Sequence, residues 1–313
     1  MRHLLIISAI ALLCACSNTE DGPTLPEQTA TDLPVIRTTN LPAFFDCVRD
    51  SSGMLIASHR AGPALGFPEN ALQTLDYGFS KGIRVFEIDI ATSRDGVLFL
   101  MHDRSLGRTT TGNGAVADTD WSVISRLDLV DNDGRRTGFK PPKLSDTLEW
   151  AVKAGAILEL DKKETTGWRS VISAVRAAGA ENNVLLITYS DRDAGIVQEL
   201  APEMMLTASA RGSRDLGKLE ALGVNTDMVV AWTGTRSPDK GAWDRNAREG
   251  VESAFGTLGR ESERLDTEYW ADGDPSEYRD MIRDGLVMLA TDEPYRLADA
   301  LSEDDRAINA CAG

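Results

Sequence analysis

Two histidines give the first chemical signal in the sequence. The chain contains three histidines: His3 lies in an apolar N-terminal segment, while His59 and His102 each end a short apolar run and precede a charged residue. Histidine is the side chain that most readily gives and takes protons near neutral pH. In a (β/α)₈ barrel the catalytic groups lie at the C-terminal ends of the strands. We therefore predict that His59 and His102 act as a general acid and a general base.

A pair of carboxylates lies between these histidines in the sequence. Glu87 and Asp89 alternate with Phe86 and Ile88, so in a β-strand both acids point to the same face. Two neighbouring carboxylates inside a barrel repel each other unless a positive group joins them. The alternative is a solvated strand face, but both flanks of the pair are apolar. We predict one divalent cation here, Ca²⁺ or Mg²⁺, because hard cations prefer oxygen ligands.

A second acidic strand segment spans residues 157–163. Glu159, Asp161 and Lys163 share one face of a regular strand. One of the two carboxylates can complete the metal site, and the lysine can meet a phosphate oxygen. Taken alone, the segment also fits the charged end of an ordinary strand.

Strands and helices must alternate to position these residues. Strand candidates are residues 54–57, 85–90, 97–101, 156–160, 184–188, 205–208, 228–231, 254–258 and 286–290. Helical patterns cover residues 70–81, 145–154, 168–178, 193–200, 214–222, 238–250 and 275–284. The alternation predicts an α/β fold with a parallel sheet, and the strand count and length favour a TIM (β/α)₈ barrel. A doubly wound open sheet is the alternative, but no Gly-x-Gly-x-x-Gly or Walker loop supports it.

One segment interrupts this alternation. Residues from about 103 to 142 are rich in Gly, Thr and Asp. They predict a small insertion after the second barrel strand.

The N-terminus predicts export. Arg2 precedes an apolar stretch from Leu4 to Leu13, about the length of a signal-peptide core and too short to span a bilayer. Small residues before Cys16 resemble a bacterial lipobox, which predicts removal of residues 1–15 as a signal peptide and lipidation of the Cys16 sulfur. An ordinary secretory signal is the alternative. We expect a protein anchored to the membrane by lipid, on the periplasmic face or in the outer membrane of a Gram-negative cell.

The predicted mature chain has two parts. A polar, Pro/Thr-rich stretch predicts a lipidated tether over residues 16–45, followed by one domain over residues 46–313. Two cysteines of this domain, Cys47 and Cys311, lie near its ends, and export makes a disulfide between them feasible. The alternative is two free, partly buried thiols.

The charge of the chain excludes one class of partner. The formal net charge is −16, and loss of Arg2 with the signal makes it one unit more negative. Such a surface repels nucleic-acid phosphates, so no nucleic-acid partner is expected. A protein this acidic needs a local cation to handle a phosphate. The sequence carries no signal for the oligomeric state.

A linked set of motifs resembles the glycerophosphodiester phosphodiesterase family in order and spacing. The motifs are His59-Arg60-Ala61-Gly62, Pro68-Glu69-Asn70, Glu87-Ile88-Asp89, Asp95-Gly96, His102-Asp103, Arg108 to Gly112, Pro142-Lys143-Leu144 and Thr291-Asp292-Glu293-Pro294. The resemblance implies a TIM barrel with an insertion after His102 and a bound divalent cation. It also implies a small-molecule substrate, a glycerophosphodiester, that is hydrolysed to glycerol phosphate and an alcohol.

The resemblance implies a role for each candidate site residue. Glu87, Asp89 and Asp161 would hold the cation, Arg60 and Lys163 would contact the phosphate, and His59 and His102 would be acid and base in either order. Glu69 and Asn70 would brace the loop beside His59, Asp103 would orient its neighbourhood, and Asp292 would have a structural or pocket-lining role.

Two positions depart from the family pattern. The family usually has Glu-x-Lys on its third strand, where this chain has Asp161 two residues before Lys163, with Glu159 as the fallback ligand. The family often has a Trp-Thr pair after its seventh strand, whereas Trp232 here follows the candidate at residues 228–231, the sixth strand of the expected barrel. Because the alcohol-side pocket can differ, lysophospholipase D or sphingomyelinase D-like action on lipid headgroups is an alternative. A non-catalytic surface lipoprotein is a further one, which the intact histidines and carboxylates disfavour.

Overall fold

The computed structural model describes residues 40–301 and 308–311. The predicted signal peptide, Cys16 and nearly all of the predicted tether therefore lie outside the described residues. Within the described ranges, no helix is both long enough and apolar enough to cross a bilayer.

Eight parallel strands form a closed barrel. With one further strand outside the barrel, the described residues form nine strands, which in chain order are β1 Leu55–Ser58, β2 Val85–Thr92, β3 Leu98–Leu100, β4 Ile157–Lys162, β5 Val184–Ile187, β6 Met205–Ser209, β7 Val229–Trp232, β8 Glu252–Gly256 and β9 Met288–Thr291. Strand β1 pairs with both β2 and β9, and this pairing closes the barrel. Strand β3 lies outside the barrel, antiparallel to β2. The predicted TIM barrel is confirmed.

Helices surround the barrel. They are α1 Leu41–Asp50, α2 Leu72–Ser80, α3 Trp121–Ile124, α4 Leu144–Ala154, α5 Trp168–Ala178, α6 Asp191–Leu200, α7 Ser213–Glu220, α8 Lys240–Arg248, α9 Leu265–Tyr269, α10 Ser276–Arg283, α11 Pro294–Ala300 and α12 Ile308–Cys311. Helix α5 shows why they dock: its buried residues Trp168, Val171, Ile172 and Val175 recur at helical spacing and form one apolar stripe. The helix ends at Gly179, which adopts the left-handed backbone of a C-terminal cap.

Side chains along β2 point alternately into two apolar cores, one among the helices and one inside the barrel. The inward positions near the end of the strand are polar and can form a site. Phe86 and Ile88 pack outward among the helices, while Val85 belongs to the cluster that fills the barrel interior. Further along the same strand the inward positions change to the acids Glu87 and Asp89. The barrel is therefore apolar at the N-terminal ends of its strands and acidic towards their C-terminal ends.

Helix α1 belongs to the barrel domain. Leu41, Phe44 and Phe45 are buried in the interior cluster with the first residues of the barrel strands. A disulfide joins Cys47 on α1 to Cys311 on α12. The folded domain thus extends to Leu41, and the boundary expected between residues 45 and 46 falls inside this helix.

The segment of residues 103–142 forms a small lobe beside the barrel. It contains α3 and a 3₁₀ turn at Val116–Asp118. Leu106, Val116 and Ile124 pack with residues next to the barrel in a separate apolar cluster. The lobe therefore has a core of its own, anchored at the C-terminal end of β2.

Candidate active site

Two neighbouring strands bring three carboxylates together at the barrel mouth. Asp89 on β2 is the register partner of Asp161 on β4. These two residues and Glu87 each offer a carboxylate oxygen, and the three oxygens lie within 4.8 Å of one another. All three side chains are buried. Burial, together with Asp89 and Asp161, raises the pKa of Glu87 well above its usual value. An all-oxygen set of this charge fits a hard divalent cation.

Polar groups around the carboxylates fix their positions. The Asn70 amide donates to Asp89 Oδ2 at 2.6 Å and accepts from the Asp89 backbone N–H at 2.9 Å. Lys163 Nζ bonds Asp161 Oδ2 at 2.6 Å and also contacts Asp89. Burial opposes ionisation of Asp89, but Lys163 and His102 outweigh it and lower its pKa. Asn70 therefore positions a carboxylate directly, which goes beyond the loop-bracing role expected for it.

A tight turn after β1 brings Arg60 against these acids. Arg60 has a left-handed backbone, with φ of 51°, and its N–H donates to Glu87 Oε2 at 2.7 Å. Gly62 also has a positive φ, and a Cβ there would collide with Ser58 Oγ. The Arg60 side chain donates to Glu69 at 3.2 Å and lies 2.9 Å from His102 Nε2. The turn thus connects the carboxylates to one of the histidines.

Each histidine has a carboxylate against its Nδ1 atom. His59 Nδ1 lies 2.7 Å from Asp292 Oδ1, and His102 Nδ1 lies 2.8 Å from Asp103 Oδ1. Burial opposes ionisation of Asp292, but the hydrogen bond with His59 outweighs it and lowers the Asp292 pKa. A carboxylate at Nδ1 fixes the ring orientation. The other ring nitrogen, Nε2, contacts Arg60 in His102. Asp292, expected to have only a structural or pocket-lining role, is a direct partner of His59.

Arg108 connects the inserted lobe to the site. Its guanidinium donates to both carboxylate oxygens of Glu69 at 2.8 Å and to both oxygens of Asp103 at 2.7 and 2.9 Å. The hydrogen bond from Arg108 is the main cause of the lowered pKa of Asp103. In the sequence Arg108 belongs to one of the family motifs, but no role was assigned to it. Its contact with Asp103, visible only in the structure, shows that Arg108 holds the partner of His102.

The fallback ligand lies outside the acidic triad. Glu159 is the register partner of Glu87, two residues before Asp161 on the same strand. Burial, and then the nearby Asp161, raises the pKa of Glu159 to about 8. The structure therefore groups Asp161, and not Glu159, with Glu87 and Asp89.

Two cavities open at this end of the barrel, and His59 lines both. The first, here called the barrel-mouth cavity, has a volume of about 360 Å³ and is lined by Glu87, Glu159, Asp161, Tyr189, Trp232 and Leu258, among others. The second, the lobe-side cavity, has a volume of about 670 Å³ and is lined by Arg60, Arg108, Arg260 and Arg264, among others. The candidate site therefore offers space on two sides of one catalytic candidate.

Two residues of the site could not be identified from the sequence. The Tyr189 hydroxyl donates to Asp161 Oδ2 at 2.7 Å, although Tyr189 follows an unremarkable apolar strand. Arg264 lies 3.3 Å from Asp292 and holds it from the side opposite His59. Neither residue belongs to a motif, so no sequence pattern pointed to them.

Comparisons with known proteins identify a family for this chain. Residues 59–215 match the model of the glycerophosphoryl diester phosphodiesterase family. The chain is 30% identical to the uncharacterized protein YqiK of Bacillus subtilis over 155 residues, and 24% identical to the probable glycerophosphodiester phosphodiesterase 2 of Mycobacterium tuberculosis over 184 residues. These matches cover 48% and 59% of this chain and 63% and 61% of the relatives, so the chain spans about three-fifths of each relative's length.

Solved structures share the fold. A glycerophosphoryl diester phosphodiesterase from Parabacteroides distasonis superimposes with a TM-score of 0.72 at 24% identity, covering 86% of this chain and 94% of that one. A phosphodiesterase from Oleispira antarctica, solved in complex with the product sn-glycerol-3-phosphate, gives a TM-score of 0.60 at 23% identity, covering 80% and 98%. With its barrel, its buried acidic triad and a family match across half of its length, this chain belongs to the glycerophosphoryl diester phosphodiesterase family.

Proposed function

We propose that this chain is a metal-dependent phosphodiesterase that hydrolyses glycerophosphodiesters to glycerol phosphate and an alcohol. One observation carries the proposal: both histidines border the buried acidic triad. His59 lines the same cavity as Glu87 and Asp161, and His102 contacts Arg60, whose backbone bonds Glu87. The family match and the product bound to the Oleispira antarctica relative support the substrate class.

The acidic triad is the proposed metal site. Glu87, Asp89 and Asp161 would hold Ca²⁺ or Mg²⁺, since both cations take carboxylate oxygens. When bound, the cation supplies positive charge to phosphate oxygens, where negative charge builds in the transition state. Asn70 and Lys163 keep the triad in place through their bonds to Asp89 and Asp161.

The side chains of this protein bind the phosphate and move the protons. Arg60, whose guanidinium lies 4.0 Å from Asp89, and Lys163, which contacts Asp161, offer fixed positive charges at the triad. One imidazole accepts the proton of the attacking hydroxyl at Nε2, and the other donates a proton from Nε2 to the leaving alcohol oxygen. The net reaction consumes one water. Asp292 and Asp103 hold the two rings through their Nδ1 atoms, so that Nε2 of His59 faces the substrate and Nε2 of His102 lies beside the phosphate-binding Arg60.

Product analysis tests this function. The purified protein is incubated with a panel of glycerophosphodiesters and lysophospholipids, with added Ca²⁺ or Mg²⁺ or with a chelator, and phosphate esters and alcohols are identified. We expect glycerol phosphate from glycerophosphodiesters, loss of turnover with chelator, and a loss of about 10²–10⁴-fold in His102→Asn. The exposed Glu164→Gln serves as a control variant. Full turnover at saturating chelator would refute the metal role, and faster cleavage of lysolipids would favour the phospholipase D alternative.

We also propose that the protein is exported and held at the membrane by lipid on Cys16. The support is the lipobox-like sequence Leu13-Cys14-Ala15-Cys16, together with the disulfide between Cys47 and Cys311, a bond typical of exported proteins. Labelled palmitate should enter the wild type and Cys14→Ala but not Cys16→Ala. Labelling of Cys16→Ala would show that the lipobox interpretation is wrong.

A further inference from the structure

Glu159 is a buried carboxylate that nothing in the described part of the chain neutralises. Its side chain is only 3% exposed, and no hydrogen bond or ion pair joins it to another described residue. Asp161, two residues further on, is bonded by Lys163 and by Tyr189. Because a buried carboxylate without a partner is costly, its position in a cavity wall points to a ligand.

Charge balance at the barrel mouth singles out the same residue. Two of the three carboxylates of the triad contact Lys163, and the triad would be balanced by it together with the proposed divalent cation. Glu159 lies outside that group, and no basic side chain of the described residues pairs with it. Among the described residues that line the barrel-mouth cavity there is no lysine or arginine, whereas four arginines line the lobe-side cavity. The side chains that line the two cavities, which meet at His59, therefore carry net charges of opposite sign.

Two aromatic rings complete the barrel-mouth cavity. Tyr189 follows β5, and Trp232 ends β7, the sixth strand of the barrel. A Cβ atom on Gly256, in the seventh barrel strand, would lie 2.8 Å from the indole of Trp232. Glycine at this position thus leaves the space that the sixth-strand tryptophan occupies. The faces of tyrosine and tryptophan rings attract cations, including quaternary ammonium groups.

We propose that the barrel-mouth cavity binds an alcohol substituent that carries a positively charged ammonium group, with Glu159 as its counter-ion. Tyr189 and Trp232 lie against the carbon atoms around that ammonium. The inference rests on the proposed function, and it narrows the substrates to glycerophosphodiesters of small amino alcohols. A cavity of about 360 Å³ is in the range of small-ligand sites. The remaining glycerol side of the diester is directed to the lobe-side cavity.

A kinetic selectivity ratio tests the proposal. The ratio compares kcat/KM for glycerophosphoethanolamine with kcat/KM for glycerophosphoglycerol, whose leaving alcohol is neutral. We expect Glu159→Gln to lower this ratio by roughly tenfold or more, because a charge-assisted contact is lost for one substrate only. Glu164→Gln removes the same charge from an exposed position outside the cavity and should keep the wild-type ratio. An equal loss for both substrates in Glu159→Gln would overturn the proposal.

A binding measurement separates this inference from the proposed reaction. The affinity of His102→Asn for glycerophosphocholine and for glycerophosphoglycerol is measured by calorimetry, with and without Glu159→Gln or Trp232→Leu. We expect each added substitution to weaken glycerophosphocholine binding by roughly tenfold relative to glycerophosphoglycerol. If the wild type turns over no diester but this difference in affinity remains, the proposed reaction is wrong and the proposed cation site is supported. If glycerophosphoglycerol binding weakens equally, the cavity recognises hydroxyl groups and the proposal fails.

Discussion

Asp89 and Asp161 are register partners on adjacent parallel strands, so their carboxylates project side by side into the barrel mouth. Lys163 contacts both, which fixes their relative position. The neighbouring strand therefore supplies Asp161 with a second carboxylate at the same depth in the barrel. This pairing also provides the clearest way to test which acid completes the metal site.

The third metal ligand can be identified by titrating activity with Ca²⁺ and Mg²⁺. Asp161→Asn should raise the metal concentration for half-maximal activity by roughly tenfold or more, because one charged ligand is lost. Glu159→Gln should leave that midpoint close to wild type, since Glu159 lies outside the triad. The opposite pattern, with the larger shift in Glu159→Gln, would make Glu159 the ligand.

Metal binding should release a proton. Burial, with Asp89 and Asp161, raises the pKa of Glu87, so the metal-free site holds a proton in a pH range where an exposed glutamate has lost it. The cation needs the ionised carboxylate, so its affinity should increase with pH until the pH exceeds the Glu87 pKa. Calorimetry at one pH in two buffers of different ionisation enthalpy measures the protons released. Heats that are identical in both buffers would contradict this assignment.

Asp292 should act on catalysis through His59. Asp292→Asn removes the carboxylate 2.7 Å from His59 Nδ1, and we expect kcat to fall by about 10²–10⁴-fold with a small change in KM. The pH profile of kcat should shift as well, because the charge that stabilises the imidazolium is gone. Glu293→Gln is the matched control: Glu293 also bonds Arg264 but does not contact His59. If Asp292→Asn lowers the thermal stability but leaves kcat and its pH profile unchanged, Asp292 has a structural role only.

The disulfide should stabilise the fold without affecting the site. Cys47 and Cys311 are 264 residues apart and join α1 to α12 at the N-terminal end of the barrel. Replacing both with serine should lower the free energy of unfolding by about 2–5 kcal/mol, measured in urea. Because the site lies at the opposite end, kcat/KM at 25 °C should stay near wild type. Reduced wild type should match the double variant, and equal stability of all forms would disprove the role.

Local patterns in the sequence determined the fold class and the core of the site. Period-two alternation along β2 placed Glu87 and Asp89 on the inner face, and the structure confirms this because a strand fixes side-chain direction within two or three residues. The choice of Asp161 over Glu159 as third ligand came from the family's Glu-x-Lys pattern. The structure groups Asp161 with Glu87 and Asp89, and its role as a metal ligand stays a prediction. The alternation of strands and helices identified the barrel for a similar reason, since each signal lies within one element.

The tertiary structure alone decided contacts between residues far apart in the chain. His59 and Asp292 are 233 residues apart and meet only because β1 pairs with β9 to close the barrel. In the same way, Gly256 makes room for Trp232 across a strand pair that no local pattern specifies. Barrel closure brings together ends of strands that the sequence separates, so the partner of His59 and the shape of the barrel-mouth cavity emerge only in three dimensions.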